Sequence, residues 1–236
     1  MSDKSRPRQS KFALLSLAIY ASLALFSVAG VAIGEYFHLH IAKEAKIFGP
    51  LTLIAGVIAI YAQISWNEKH ERLQIWKSFL VAGAFGGLAE LCGVILGVPF
   101  GRYRYTGLWF PTVTIGIYGY YPLLIPLAWI LVPGSWALFA GARFRFGPAV
   151  LIAATLSTLT DFIMEPVLVH VLRYWVWIRP GPLPGGAPFL NPFGWWVCSA
   201  VVAVIFLRSR LVTRQIVIAV PLIYLAMILA IGTIIR

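Results

Sequence analysis

The stretch Thr160–Trp177 reads TDFIMEPVLVHVLRYWVW and places two carboxylates inside an apolar segment that extends from about Pro148 to Leu172. Asp161 and Glu165 are four residues apart, so on a helix their side chains share one face. A carboxylate at the centre of a membrane is costly, by about 3 kcal/mol on insertion scales. Both side chains are therefore expected to point into a helical bundle, toward a partner or a substrate.

The whole chain has the composition of a polytopic membrane protein. Of its 236 residues, 60% are hydrophobic and only 11% are charged. Its apolar runs repeatedly reach the roughly 20 residues that a bilayer-spanning helix needs. The predicted fold class is all-α, with a basic cytoplasmic tail at residues 1–11 and a single transmembrane helical domain at residues 12–236. The bundle has about seven candidate spans, at residues 12–33, 48–66, 78–98, 119–142, 146–172, 194–208 and 215–235.

The net charge of +11 fits a membrane protein whose basic residues set its orientation, rather than a protein that binds nucleic acid. Most of the 19 Lys and Arg residues lie at the ends of apolar segments, and more of them fall on the side of the N-terminus. The positive-inside rule then predicts a cytoplasmic N-terminus. The expected location is a bacterial or archaeal cytoplasmic membrane. Cys92 and Cys198 lie in apolar segments without the spacing of a metal site or a disulfide. The predicted partners include the lipid bilayer and exclude nucleic acid.

A third carboxylate, Glu90, lies well inside the third span. With a rise of ~1.5 Å per residue, Glu90, Glu165 and Asp161 are ~12, ~10 and ~16 Å below the outer ends of their spans, so the three can meet. An apolar setting disfavours the charged form of a carboxyl group. Two neighbouring carboxyl groups also lose their protons at different pH values, so that one can act as an acid while the other acts as a base. This combination suits proton transfer to a substrate. The structural alternative is that the carboxylates only join helices through hydrogen bonds, or pair with Arg102, Arg104 or Arg173.

Two loops of unusual composition are expected on one side of the bundle. The loops at 99–121 and 173–193 are rich in aromatic residues, Gly and Pro, and the predicted topology places both on the non-cytoplasmic side. The alternative for their aromatic residues is an interfacial belt, because Trp and Tyr favour that depth.

The fourth and third spans have features that permit a cavity. In the fourth span Pro122, Pro126 and Pro133 each remove a backbone donor and can kink the helix. In the third span several glycines allow close helix approach: Gly83, Gly86, Gly87, Gly93 and Gly97.

Several other membrane chemistries lack the residues that they need. The four histidines do not have the spacing of a di-iron site, and no lysine in a late span could hold retinal. The chain has neither a Gly-rich nucleotide motif, nor a serine nucleophile elbow, nor the paired Asp-rich motifs of a prenyltransferase. No metal site is predicted.

Five motifs follow one another in an order that carries a family resemblance. They are ELCGVILGVPFGRYRY at 90–105, PLAW at 126–129, DFIMEP at 161–166, YWVW at 174–177 and NPFGWW at 191–196. Together they span roughly residues 87–206, over half of the chain. The combination resembles the integral-membrane carotenoid biosynthesis family, which includes CruF-type carotenoid hydratases.

The resemblance implies an enzyme that adds water, without a cofactor, to the terminal double bond of an acyclic carotenoid end group. It also implies an acyclic or monocyclic carotenoid as substrate, lycopene among the acyclic ones, and leaves room for contacts with other carotenoid enzymes. The family's acidic patterns fall on Glu90, Asp161 and Glu165, which are the predicted catalytic residues. Asp161 is the preferred acid and Glu165 or Glu90 the base, although these roles stay interchangeable within a coupled group. The aromatic faces of Tyr103, Tyr105, Trp175 or Trp177 would stabilise the cation, and Asn191 would position the water. The full set of predicted substrate-binding residues is Tyr103, Tyr105, Trp129, Trp175, Trp177, Asn191 and Trp195.

Two readings from other functional classes remain open. A carotenoid- or lipid-binding membrane protein without catalysis would keep its pigment unchanged. A proton-coupled transporter would use the three carboxylates as a proton relay. Many transporters show an inverted internal repeat, and none is evident in this sequence.

Overall fold

The helices of the protein follow the apolar runs of its sequence. The computed structural model describes residues 6–38, 42–64, 69–211 and 215–235. Four helices in these residues are long and apolar enough to cross a membrane, and three more apolar helices are shorter. The predicted bundle of about seven helices is therefore confirmed. The helices are α1 (Arg6–Tyr36), α2 (Ala42–Gln63), α3 (Lys69–Leu96), α4 (Ile125–Gly141), α5 (Phe146–Val171), α6 (Leu190–Arg208) and α7 (Ala219–Ile234).

Packing between the helices forms two connected groups. Helix α5 packs along α4 and α6, and α3 packs against the same two helices, while α1 lies against α2 and α7. Inside a membrane, each backbone N–H and C=O must find its partner within the protein, which is why uninterrupted apolar runs fold as helices. Of the predicted basic tail, residues 1–5 lie outside the described residues, and residues 6–11 belong to α1.

The fourth span begins later than the sequence predicts. It was expected at residues 119–142, but α4 begins at Ile125, because Tyr120–Pro122 is a strand. Pro126 lies in the first turn of α4, where its missing donor costs nothing, and only Pro133 interrupts the helix interior, in a π-helical turn. The Ser135 hydroxyl donates to the carbonyl of Leu131 in this turn, at 2.5 Å.

A small sheet at one end of the bundle was not predicted. Its strands are β1 (Tyr103–Tyr105), β2 (Thr112–Thr114), β3 (Tyr120–Pro122) and β4 (Trp175–Trp177), in the antiparallel order β2-β3-β1-β4. Strand β1 comes from the loop after α3, and β4 comes from the loop after α5. The two aromatic loops therefore meet as predicted, and they meet as a hydrogen-bonded sheet.

Gly86 allows α4 to approach α3 closely. A Cβ atom added at Gly86 would lie 2.1 Å from Cγ of Trp129, whose side chain is fully buried. Gly86→Ala is therefore expected to displace the indole ring and to lower the free energy of unfolding by about 1–3 kcal/mol, as overpacking does. Thermal unfolding in detergent measures this loss. Gly30→Ala is the matched control, because a Cβ added there on α1 meets no atom within 4 Å. Equal losses in both variants would contradict the packing role of Gly86.

Candidate active site

A cavity lies between the sheet and the adjoining ends of the helices. Its volume, measured as the space that the centres of water molecules can occupy, is about 50 Å³. This is enough for a few waters. Its wall is formed by residues of α3 to α7 and of strands β1 and β4. The structure thus brings all ten predicted site residues together around one cavity: Glu90, Tyr103, Tyr105, Trp129, Asp161, Glu165, Trp175, Trp177, Asn191 and Trp195.

Glu90 on α3 has hydrogen-bond donors at both of its carboxylate oxygens. The hydroxyls of Tyr103 and Tyr105 donate to Oε2 at 2.5 and 2.8 Å. The Trp129 indole N–H donates to Oε1 at 3.2 Å. Burial, and next the charge of Glu90, raises the pKa of both tyrosines well above the usual value for a phenol, so both remain protonated donors at neutral pH. Glu90 therefore joins α3 to α4 and to β1.

Gly93 makes room for this arrangement. It follows Glu90 by three residues, so both lie on the same side of α3. An added Cβ at Gly93 would lie 2.6 Å from the Tyr103 hydroxyl. The glycine that was predicted to allow close approach thus admits the strand β1, rather than another helix, to the surface of α3.

Asp161 and Glu165 on α5 are both buried, and each receives donors at one oxygen. The side-chain amide of Asn191 donates to Oδ2 of Asp161 at 3.1 Å. The indole N–H groups of Trp175 and Trp177 both donate to Oε1 of Glu165, at 3.2 and 2.7 Å. Strand β4 and the start of α6 therefore hold the two carboxylates in fixed orientations.

The second oxygen of each of these carboxylates faces the cavity. Among the described residues, no donor reaches Oδ1 of Asp161 or Oε2 of Glu165. In the described residues, two side-chain atoms are fully buried and have no hydrogen-bond partner, namely Oε1 of Gln63 and Oγ of Ser199. The free oxygens of Asp161 and Glu165 are not among these fully buried atoms. The two carboxylate oxygens consequently border open space, and the cavity is the space that both residues line.

The carboxylates pair with neutral donors instead of arginines. Arg102, Arg104 and Arg173 are exposed, and none of them forms an ion pair with a carboxylate in the part of the chain that the structure describes. The ion-pair alternative is thereby disfavoured, whereas hydrogen bonds between elements are present. Across the described ranges, no group of three or more His, Cys, Asp or Glu side chains is arranged to hold a metal ion.

Stacked aromatic rings form much of the cavity wall. Trp129 and Trp195 stack with ring centroids 4.6 Å apart, and Phe100 packs against both, at 5.9 and 6.3 Å. Tyr103 meets Trp177 edge to face at 5.4 Å. The faces of such rings attract cations. The wall is therefore suited to a positively charged intermediate.

Sequence reasoning missed several residues of the wall. Phe100 and Trp109 belong to the aromatic loop that the sequence analysis singled out, so the composition of that loop was a usable signal. The other missed residues lie in apolar helices, where nothing local distinguishes a cavity-lining side chain from a lipid-facing one. They are Ile125, Ala128, Val132, Met164, Leu168 and Tyr224.

Comparison with known proteins places this chain in a family. A family model described as "Carotenoid biosynthesis protein" matches residues 48–236, a range that includes every residue of the cavity wall. No curated protein and no solved structure gives a significant match. The resemblance that the five motifs carry is confirmed at the level of the family. The chain belongs to the carotenoid biosynthesis protein family.

Proposed function

We propose that the protein is a carotenoid hydratase that adds water to the terminal C=C bond of an acyclic carotenoid end group, without a cofactor. Membership in the family supports a role in carotenoid biosynthesis. The observation that carries the proposal is the pair Asp161 and Glu165, each with one oxygen free toward an aromatic-walled cavity. A neutral alkene needs an acid to become reactive, and the cation that forms needs water and a base.

The donors around each carboxylate support a division of roles. Two indole N–H groups stabilise the charged form of Glu165, whereas Asp161 receives a single amide donor. Asp161 is thus the better holder of the proton. Both oxygens of Glu90 are occupied by donors, so its role is to position Tyr103 and Tyr105 rather than to react.

The first step transfers a proton from the Asp161 carboxyl to the CH carbon of the terminal double bond. The electron pair of the double bond forms the new C–H bond, and the neighbouring carbon becomes a tertiary cation. The faces of Trp129, Trp195 and Trp177 stabilise this cation.

The second step captures the cation with water. The water oxygen forms a bond to the cationic carbon, and one of its protons passes to Oε2 of Glu165. Glu165 then returns a proton to the Asp161 carboxylate through water, which restores both groups. The net change is one water added per alkene, and the product is a tertiary alcohol.

Expression in cells that accumulate lycopene tests the proposal. Extracted pigments, separated by chromatography and weighed by mass spectrometry, are expected to include a product heavier by one water. Glu165→Gln, inserted in the membrane to the same level, is expected to lack it. Unchanged acyclic and monocyclic carotenoids would contradict the proposal; pigment retained unaltered on the protein would favour a binding role, and proton flux in vesicles would favour transport.

A further inference from the structure

A groove lies at the end of the bundle opposite the cavity. The cavity adjoins the start of α4 and the end of α5, whereas the groove is formed where α4 ends, α5 begins and α6 ends. The space in it for the centres of water molecules is about 270 Å³, and six of its eight lining residues are Leu or Phe. Phe206 is 1% exposed, while Phe144 and Phe146 are 45% and 47% exposed. The groove is therefore recessed, apolar and open on one side.

Four arginines surround this groove. Arg210 lines it, and Arg143, Arg145 and Arg208 are each next in the chain to a lining residue. All four side chains are exposed, and within the described residues none of them forms an ion pair. The Arg143 guanidinium donates to the carbonyl of Phe139 at 3.1 Å and lies 4.0 Å from the centre of its ring, which holds this charge at the end of α4. The groove thus carries positive charge that no described carboxylate balances.

The depth of the groove indicates what fills it. The apolar spans of α5 and α6 begin at Phe146 and end at Arg208, so the groove lies where hydrocarbon meets the polar surface of the membrane. A phospholipid has its phosphate next to its acyl chains at this depth. Guanidinium groups bind phosphate with paired hydrogen bonds, and Leu and Phe side chains bury acyl chains. The positive-inside prediction also places this end at the cytoplasmic leaflet, whose surface is negative.

We propose that this groove binds one anionic phospholipid, with its phosphate at Arg210 and the neighbouring arginines and an acyl chain along the Leu and Phe lining. A zwitterionic phospholipid has the same phosphate and chains, but the arginines repel its ammonium group. The groove therefore selects an anionic lipid instead of accepting any lipid that surrounds the protein. It is separate from the cavity, so this inference does not depend on the hydratase proposal.

Native mass spectrometry of the full chain in detergent tests the selection, with phosphatidylglycerol or phosphatidylcholine of identical acyl chains added in increasing amounts. The wild type is expected to bind the first phosphatidylglycerol about tenfold more tightly than the first phosphatidylcholine. Arg210→Gln is expected to lower this preference about fivefold, the usual contribution of one basic residue near anionic lipid. Arg210→Lys keeps the charge and is expected to retain most of it.

Arg173→Gln is the matched control. Arg173 is also exposed and has nearly the same backbone conformation as Arg210, with φ values of 51° and 50°, but it follows α5 at the opposite end of the bundle. Its preference is expected to equal that of the wild type. A wild type without preference, or an equal fall in both glutamine variants, would overturn the site. The preference is a ratio, so it does not depend on yield, and Arg145→Gln must lower it in the same direction.

Two further measurements test the apolar half of the site. Phe144→Ala removes an exposed part of the lining and is expected to weaken both lipids about equally, which leaves the preference unchanged. Glycerol phosphate, which has the phosphate but no acyl chain, is expected not to displace the bound lipid at equal concentration. Unchanged affinities in Phe144→Ala, or displacement by glycerol phosphate, would show a site for free anions and would overturn the assignment to a lipid.

Discussion

Replacing Asp161 with Asn is expected to lower the rate of hydration by about 100- to 10,000-fold, the usual contribution of a positioned acid. The amide has no proton acidic enough to give to an alkene. Its shape is that of the carboxyl, and its oxygen can still accept the hydrogen bond from Asn191, which is 3.1 Å long in the wild type. The rate of alcohol formation per inserted protein measures the effect.

If Asp161 is the acid, Asp161→Asn loses the alcohol, since no cation forms. The temperature of thermal unfolding in detergent is expected to stay near that of the wild type, because the amide keeps the shape of the carboxyl group. Hydration at the wild-type rate in this variant would remove Asp161 from the mechanism.

The position of the three carboxylates around one cavity could be predicted, because the free-energy cost of a charge in hydrocarbon determines where they can lie. Charged groups in hydrocarbon are expensive, so Asp161, Glu165 and Glu90 had to face inward, and helical geometry put them at similar depths. The ten predicted residues line one cavity for this reason, and because the aromatic loops emerge beside the same helix ends. Their chemical roles stay predictions.

The sheet and the late start of α4 could not be predicted in the same way. Strands of three residues carry too little periodicity to be distinguished from loop, and the pairing of Tyr105 with both Tyr120 and Trp175 joins residues distant in the chain. The sequence around Pro122 is apolar enough to extend a span, and only the partners of β3 show that it does not. Tyr224 went unnoticed because a tyrosine in an apolar helix suits a lipid-facing position as well as a cavity.

The same substitution at Glu165 and at Glu90 is expected to give very different rates. In Glu165→Gln, the indole N–H groups of Trp175 and Trp177 can only donate, so they hold the amide oxygen at the position of Oε1. The amide nitrogen is thereby left at the position of Oε2, where it cannot accept a proton. Hydration is expected to fall about 100-fold or more, the usual loss of a base.

In Glu90→Gln the surroundings can adapt. The Trp129 indole fixes the amide oxygen at Oε1, and the amide nitrogen then faces the hydroxyls of Tyr103 and Tyr105, which can turn to accept its protons. The number of hydrogen bonds stays the same, but they lose the strengthening effect of a charge. Hydration is therefore expected to fall by less than about tenfold, which corresponds to one weakened interaction. The rates of alcohol formation by the two variants, measured side by side at equal insertion, decide the assignment. An equal or greater loss in Glu90→Gln would make Glu90 the base and reduce Glu165 to an anchor for the two tryptophans.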